Sequence, residues 1–198
     1  MQTITIAFPD WLDAFLTERP ARYANDGERM RLALDLAREN VAAGSGGPFG
    51  AALFDAGDGK LLAVGVNLVV RAHCSIAHAE MVALAAAQQA LGSDDLGSIL
   101  PGGCLLACSA EPCAMCLGAL GWAGISRLIC AARDSDVRAI GFDEGDKPEH
   151  WPTLLARRKI SVTRDLMRTD AIEILRDYAA GGGTIYGPTR RNSGRHSN

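Results

Sequence analysis

The chain has 198 residues, a formal net charge of −3 and six cysteines. Hydrophobic residues make up 48% and charged residues 22%, which is the usage of a soluble globular domain with a substantial core. No apolar run approaches the roughly 20 residues of a membrane helix, and no basic face suits a phosphate backbone. We therefore expect neither a membrane partner nor a nucleic-acid partner.

The start of the chain, "MQTITIAFPDW", lacks the basic and apolar regions of a signal peptide. We therefore expect a cytoplasmic protein, in which thiols are normally kept reduced. The six cysteines are accordingly not interpreted as a disulfide framework.

The first half of the chain predicts a short N-terminal arm, two helices and a hairpin. The arm includes a helix capped by Asp10, and a firmer helix runs from Asn25 or Asp26 to Gly44. "AALFDAGDGKLLAVGV" places two apolar runs around a Gly-Asp-Gly turn, which is typical of a hairpin. A further helix is predicted from about His78 to Leu91.

The second half predicts strands alternating with helices. In order, these are a strand "CLLACS", a helix after Pro112, a strand "RLICAA" and an amphipathic helix "DAIEILRDYA". Such alternation after an opening hairpin predicts an α/β fold on a mixed sheet. We expect residues 1–187 to form one domain with an N-terminal arm, and residues 188–198 to be a disordered tail.

The stretch "SAEPCAMC" places two cysteines three residues apart, directly behind a proline. Pro112 suits the first turn of a helix, so Cys113 and Cys116 would share one helix face near a helix N-terminus. The positive end of a helix dipole lowers the pKa of a thiol, which favours metal binding. Taken alone, the pair could equally be a redox couple or two buried thiols.

A third metal ligand is offered by "HAEMVAL", where His78 and Glu80 begin the preceding helix. One histidine and two cysteines are the ligand set of a catalytic zinc with an open fourth position. Glu80 is too close to His78 to be another ligand, but it could hydrogen-bond water at the metal. A structural zinc site in a non-catalytic protein is the alternative, although such a site would need a fourth protein ligand.

His-Ala-Glu followed by Pro-Cys-x-x-Cys resembles the signature of the zinc nucleobase deaminases. The wider series "GGPFGAAL", "VGVNLVV", "AHAEMVAL", "SAEPCAMCLGALGWAG", "AARDSD" and "GFDEG" is similar to bacterial guanine deaminases, closest to a branch acting on guanine and on amino-triazines such as ammeline. The resemblance implies a three-layer α/β/α cytidine-deaminase-like fold with a mixed central sheet of about five strands. It also implies one Zn²⁺ per chain and a role in purine catabolism.

The same resemblance assigns residues around the base. Asn67 would read the ring edge, Phe49 would pack on the base, and Trp122 would form a pocket wall. Glu144 would contact the exocyclic amine, although many relatives carry Asp there. Without the resemblance, Asn67 could be a turn residue, Phe49 and Trp122 core residues, and Glu144 a solvated loop charge.

The resemblance also implies help from the backbone and from the C-terminal segment. The backbone near Ala79 and Cys113, at helix N-termini, would help to hold the substrate. Similar guanine deaminases are homodimers that exchange C-terminal segments, and "GGGTIYGP" here offers a flexible glycine run followed by Tyr186 as a lid.

The activity implied is hydrolytic deamination of a free amino-heterocycle, first of all guanine to xanthine and ammonia. Zinc would activate a water, and Glu80 would act as the general acid–base catalyst that moves its protons. Two alternatives share the metal signature: a tRNA adenosine deaminase and a cytidine or deoxycytidylate deaminase. The negative net charge of the chain and the carboxylate of "GFDEG" argue against an RNA substrate.

Overall fold

The computed structural model describes residues 4–187, so the predicted disordered tail at 188–198 lies outside the described residues. Eight helices and five strands are present in this part of the chain. In chain order they are α1 (Trp11–Thr17), α2 (Asp26–Ala42), β1 (Gly50–Asp55), β2 (Leu61–Val66), α3 (Ala79–Leu91), α4 (Leu96–Ile99), β3 (Cys104–Ala110), α5 (Ala114–Leu120), β4 (Ile125–Ala132), α6 (Asp134–Ala139), α7 (Trp151–Arg157), β5 (Ser161–Thr163) and α8 (Arg168–Ala180).

The strands form one mixed sheet in the order β2-β1-β3-β4-β5. Strand β1 pairs antiparallel with both β2 and β3, whereas β4 pairs parallel with β3 and with β5. The hairpin accounts for the antiparallel pairing, and the helical crossovers between later strands account for the parallel pairing. The carboxyl ends of β3 and β4 consequently lie at the same edge of the sheet.

Helices cover both faces of the sheet, which makes three layers. Within β1, Ala52 and Phe54 belong to the core beneath α2 and α8, while Ala51 and Leu53 belong to the core beneath α3, α5 and α7. This alternation follows from the period of two in a strand. The predicted three-layer α/β/α fold with a five-stranded mixed sheet is confirmed.

Most predicted elements are present, with small differences at helix starts. Helix α2 begins where expected, and the Asn25 side chain accepts a hydrogen bond from the Glu28 amide at 3.0 Å. Asp10 precedes α1, but its side chain makes no capping bond because its backbone is already helical. Pro112 lies one residue before the cap of α5 rather than inside the first turn. The short elements α4, α6, α7 and β5 were not predicted.

Helix α3 lies directly against the hairpin because Gly65 in β2 has no side chain. A Cβ at Gly65 would come within 2.0 Å of the carbonyl oxygen of Ala79, at the start of α3. This close approach fixes the first turn of α3 relative to the sheet. No helix in residues 4–187 has the length and apolar character that a membrane crossing requires.

Candidate active site

Two helix N-termini meet at one end of the sheet and carry the three predicted metal ligands. His78 is the residue that caps α3, and Cys113 caps α5. Cys116 lies in the first turn of α5 and is fully buried. The tight strand-to-helix connection after β3 brings Cys113 to this place, so both thiols face His78.

The three ligand atoms have the spacing that a zinc ion needs. The His78 ring nitrogen and the two Cys sulfurs all lie within 4.8 Å of one another. His78 Nδ1 and Cys113 Sγ are 3.5 Å apart. Ligand atoms on a tetrahedral zinc, with bonds of about 2.0 and 2.3 Å, are separated by about 3.5–3.8 Å. The donor set and its geometry therefore fit zinc.

The two thiols are not equivalent. A hydrogen bond from Cys116 lowers the pKa of Cys113 to about 4, with a further contribution from His78. The same hydrogen bond and burial raise the pKa of Cys116. Cys113 is thus favoured as a thiolate before a metal binds. Cys116 would become a thiolate when the cation displaces the proton that the two sulfurs share.

Glu80 lies in the first turn of α3 and lines the same pocket as His78 and Cys113. Its carboxyl group is 8% exposed, and burial raises its pKa above the ordinary value. A carboxyl group with a raised pKa beside a metal site is suited to accept and return protons. Ala79 lies between His78 and Glu80 and is buried, but it is not itself part of the pocket lining.

Asn67 lies just after β2 on the opposite side of the pocket and is 1% exposed. Its side-chain nitrogen donates a hydrogen bond to the Tyr186 hydroxyl. Its side-chain oxygen is buried and has no hydrogen-bond partner among residues 4–187. Because an unmet buried acceptor costs roughly 1–3 kcal/mol, this oxygen is a place where a ligand N–H would bind.

Glu144 is another buried acidic residue of the pocket lining, and the residue is 7% exposed. Burial raises its pKa to about 8, and the negative charge of Cys113 adds to the shift. The Glu144 carbonyl accepts a hydrogen bond from the Ala114 amide at 3.0 Å. The loop that carries Glu144 is thereby tied to the first turn of the helix that carries the cysteines.

A buried ionic network strengthens this tie. The Lys147 ammonium lies 3.3 Å from Glu111 Oε2 and donates to the Pro112 carbonyl at 3.2 Å. Arg164 donates to the other oxygen of Glu111 at 2.6 Å. The side chains of Glu111 and Lys147 are only 2% and 5% exposed. Lys147, on the Glu144 loop, therefore contacts the two residues that directly precede Cys113.

Aromatic rings close the remaining sides of the pocket, which has an empty volume of about 420 Å³ including its opening to solvent. Phe49 packs edge-on against Phe142, with ring centroids 5.1 Å apart. Phe142 in turn contacts the Tyr186 ring at 5.2 Å. In this structure, the C-terminal segment thus folds over the pocket of its own chain.

The structure places Trp122 elsewhere. Its indole is 81% exposed, just beyond the end of α5, and it is not part of the pocket lining. The expectation that Trp122 forms a wall of the pocket is therefore wrong within a single chain. Helix α5 ends at Leu120, so the turn that follows directs the indole to solvent.

The sequence interpretation missed several residues that shape the site. Phe142 and Ser109 line the pocket, and the Ser109 hydroxyl accepts a hydrogen bond from the Gly50 amide at 3.0 Å. Glu111 and Lys147 form the ion pair behind it. Glu111 directly precedes the Pro-Cys-x-x-Cys motif, and this position could have identified it as a residue of the site. Phe142, Ser109 and Lys147 lie in segments without a local pattern.

Comparisons with known proteins agree with this geometry. Residues 24–132 match the family model for the cytidine and deoxycytidylate deaminase zinc-binding region. The guanine deaminase of Bacillus subtilis (strain 168) is 39% identical over 131 residues, which are 63% of this chain and 80% of that protein.

Two solved structures are similar over nearly the whole chain. The guanine deaminase from Nitrosomonas europaea is 46% identical, with a TM-score of 0.84, over 90% of this chain and 97% of that one. NE0047 in complex with 2,6-diaminopurine has a TM-score of 0.86 and 46% identity, over 93% of this chain and 97% of that one. The chain belongs to the cytidine and deoxycytidylate deaminase zinc-binding family, and it is a zinc-dependent aminohydrolase.

Proposed function

We propose that the protein hydrolyses guanine to xanthine and ammonia, as a step of purine catabolism, with ammeline and related amino-triazines as slower substrates. One observation carries the proposal: the free side-chain oxygen of Asn67 and the buried Glu144 carboxyl group share a pocket with the three metal ligands and Glu80. The guanine deaminases of Bacillus subtilis and Nitrosomonas europaea support it, as do NE0047 in complex with 2,6-diaminopurine and a mutant of NE0047 in complex with 8-azaguanine.

His78, Cys113 and Cys116 are the residues that would hold the zinc ion. When bound, zinc lowers the pKa of its water to about 7 and so supplies a nucleophile at neutral pH. The two thiolates balance the charge of the cation, and the helix N-termini that carry the ligands keep them fixed.

Glu80 moves the protons of the reaction. Its carboxylate accepts a proton from the water that attacks C2 and passes it to the neighbouring ring nitrogen. It then carries the second proton of that water to the amino group, which leaves as ammonia while C2 becomes a carbonyl carbon. The reaction consumes one water and leaves Glu80 as it began.

Asn67 and Glu144 orient the base. The Asn67 oxygen accepts a hydrogen bond from a ring N–H, and Glu144 accepts one from the C2 amine. The edge of Phe142 holds Phe49 where its ring can pack on the plane of the heterocycle. Adenine carries its amine at C6 and lacks the adjacent carbonyl, so it would leave Asn67 and Glu144 without hydrogen-bond partners. A site with buried polar groups discriminates strongly against such a ligand.

The C-terminal segment limits the size of the substrate. Tyr186 bonds to Asn67 and contacts the His78 ring at 6.0 Å between centroids, so it fills the side of the pocket that faces the solvent. A ribose attached to the base would meet this segment. Free bases are therefore expected to react and nucleosides to be excluded.

An ammonia-release screen tests the function. We expect rapid release from guanine, slower release from ammeline, and little from guanosine, adenine, cytosine or cytidine. Glu144→Gln should lower kcat/KM for guanine by about 10–100-fold, since it alters one buried polar contact with the substrate, and it should retain zinc. Preferential turnover of an adenosine-bearing tRNA stem-loop would instead identify a tRNA deaminase, and turnover of cytidine a cytidine deaminase.

We further propose a cytoplasmic homodimer whose residues 1–187 form one domain. The free state of all six cysteines supports a reducing compartment. The exposed Trp122 suggests a surface covered by a second subunit. Sedimentation tests the dimer, and mixing the nearly inactive Glu80→Gln with the partly active Tyr186→Ala tests whether Tyr186 closes its own pocket or that of the partner. If segments are exchanged, the mixed dimer regains part of the activity.

A further inference from the structure

Asn40 is a fully buried polar residue near the C-terminal end of α2, outside the pocket lining. Its side-chain nitrogen donates to two backbone carbonyls, of Gly47 at 2.9 Å and of Asn67 at 3.0 Å. Its side-chain oxygen accepts a hydrogen bond from the Ser45 hydroxyl at 2.7 Å. Both donors and the acceptor of this amide are therefore used.

The two carbonyls belong to the two segments that carry the base-contacting side chains. Gly47 is two residues before Phe49, and the Gly47 carbonyl also accepts from the Phe49 amide at 2.9 Å. The Asn67 amide donates to the Phe49 carbonyl at 3.1 Å. Asn40 therefore joins the Phe49 segment and the Asn67 segment from behind, on the side away from the pocket.

Gly46 makes this bridge possible. A Cβ at Gly46 would lie 1.8 Å from the Asn67 carbonyl oxygen and 2.7 Å from the Asn40 side-chain nitrogen. The loop passes so close to Asn67 that only glycine fits. A side chain there would have to displace the same carbonyl that Asn40 holds.

The bridge is also anchored at its far end. The Ser45 hydroxyl that donates to Asn40 accepts a hydrogen bond from the Trp11 indole at 2.9 Å. A chain of hydrogen bonds thus runs from α1 through Ser45 and Asn40 to Asn67. Fully satisfied buried networks of this kind fix one arrangement, because any alternative leaves polar groups unpaired.

We propose that Asn40 is a positioning residue, which acts through Asn67 to set the affinity and the choice of the heterocycle. The Asn67 oxygen accepts no hydrogen bond among the described residues. The Tyr186 hydroxyl holds the nitrogen of the same amide from the pocket side, and the backbone that Asn40 holds sets the position from which the side chain extends. A shift of about 1 Å in such a group can cost as much as 100-fold in rate. The inference rests on the proposed function only for the identity of the base.

A double-mutant cycle separates positioning from a general structural role. Asn40→Ala should raise KM and lower kcat/KM for guanine by about tenfold or more, with zinc content unchanged. In an Asn67→Ala background, the same substitution should lower kcat/KM further by less than about threefold, because residues that act through one another are not additive. Equal losses in both backgrounds, or loss of zinc with Asn40→Ala, would overturn the proposal.

Two control variants belong to the same helix. Leu34→Ala removes a buried core side chain, so it should lower stability while leaving kcat/KM per folded enzyme within about twofold. Asn25→Ser keeps a side-chain acceptor for the Glu28 amide at the helix cap, adds no charge beside the Glu28 carboxylate, and should change neither quantity appreciably. If Leu34→Ala gave the same non-additive pattern with Asn67→Ala, Asn40 would have no special role.

A crystal structure provides a readout that does not depend on the substrate. Asn40→Leu keeps about the volume of the side chain, has no N–H to donate and adds no buried charge, so it serves if Asn40→Ala does not fold. The Asn67 and Phe49 segments should move apart, while His78, Cys113 and Cys116 keep their arrangement. Unmoved segments would refute the proposal, whereas failure of the wild type to deaminate guanine would refute only the proposed function.

Discussion

The pocket has two walls that are built in different ways. The metal wall consists of His78, Glu80, Cys113 and Cys116, on the first turns of α3 and α5. The base wall consists of Phe49, Asn67, Glu144 and Tyr186, all of them outside helices and strands. Helical backbone geometry orients the residues of the first wall, whereas the second depends on isolated hydrogen bonds between segments, such as those from the Asn67 amide to the Phe49 carbonyl and from the Asn40 side chain to the Asn67 carbonyl.

This contrast indicates which residues outside the pocket should affect the arrangement of its two walls. A helix terminus orients its residues through local geometry, and the close approach at Gly65 and the hydrogen bond from Lys147 to the Pro112 carbonyl fix the two termini relative to the rest of the fold. A loop has no such ladder, and its polar groups must find other partners. Here the Asn67 carbonyl accepts from the Asn40 side chain, and the Glu144 carbonyl accepts from the Ala114 amide at 3.0 Å. Arg138 donates to the Gly145 carbonyl at 2.7 Å.

The largest effect is expected when a ligand is removed from the metal wall. Cys113→Ala should abolish zinc binding and reduce turnover below detection, because two ligands do not retain the ion. Metal analysis of protein purified without chelators measures the zinc content. Cys104→Ala, which removes a buried thiol at the far end of β3, should keep about one zinc per chain. A wild type without zinc would contradict the assignment of the site.

A smaller but still large effect should follow from changing the proton carrier without touching the ligands. Glu80→Gln should keep zinc and fold while lowering kcat by about 10²–10⁴-fold, the usual contribution of general acid–base catalysis. Steady-state ammonia release measures kcat, and metal analysis provides the control. Near-wild-type turnover would show that another group moves the protons.

The support behind the base wall should matter less for turnover and more for stability. Lys147→Met leaves Glu111 buried with Arg164 and the Asp134 amide as its remaining partners, so the free energy of unfolding should fall by about 1.5–3 kcal/mol, the range for one hydrogen bond to a charged group. We expect kcat/KM to fall by about tenfold because Glu144 loses one restraint.

Urea denaturation and steady-state kinetics measure the two effects of Lys147→Met. The exposed Lys159 offers the matched control, since Lys159→Met should stay within about 0.5 kcal/mol of the wild type. If Lys147→Met were as stable as this control, the ionic network would not be holding the loop.

The smallest effect is expected from the C-terminal segment. A chain ending at Ala180 lacks Tyr186 and should lose part of its activity while retaining zinc, because water then enters the pocket freely. A chain ending at Gly187 keeps Tyr186 and should be unchanged. Ammonia release from guanine and from guanosine measures both chains, and equal activity of the two would remove the lid role of Tyr186.

The metal wall was predictable because its residues are close together in sequence and keep a helical spacing. Two short motifs carry the candidate residues: His78 with Glu80, and Cys113 with Cys116. Each motif spans no more than four residues, and their order along the chain matches the deaminase signature. The base wall was predictable only through resemblance to a family. Taken alone, Asn67 is equally compatible with a turn residue and a binding residue, and Phe49 is more typical of a core residue.

Trp122 shows the limit of that approach. A tryptophan near the end of a helix can face the core or the solvent, and the sequence does not determine where the helix stops. The structure ends α5 at Leu120 and leaves the indole 81% exposed. The short elements α4, α6, α7 and β5 escaped prediction for a related reason, since four to seven residues carry too little periodicity.

Spacing between nearby residues was enough to indicate the alternation of helices and strands, the cysteine pair, and His78 with Glu80 as candidate site residues. Packing between distant segments decided that His78 lies beside Cys113 across 35 positions, that Asn40 meets Asn67 across 27 and that Lys147 meets Glu111 across 36. Such pairs form when packing brings distant segments together and buried polar groups must then be satisfied. A local sequence pattern does not show which distant partner a buried polar group will have.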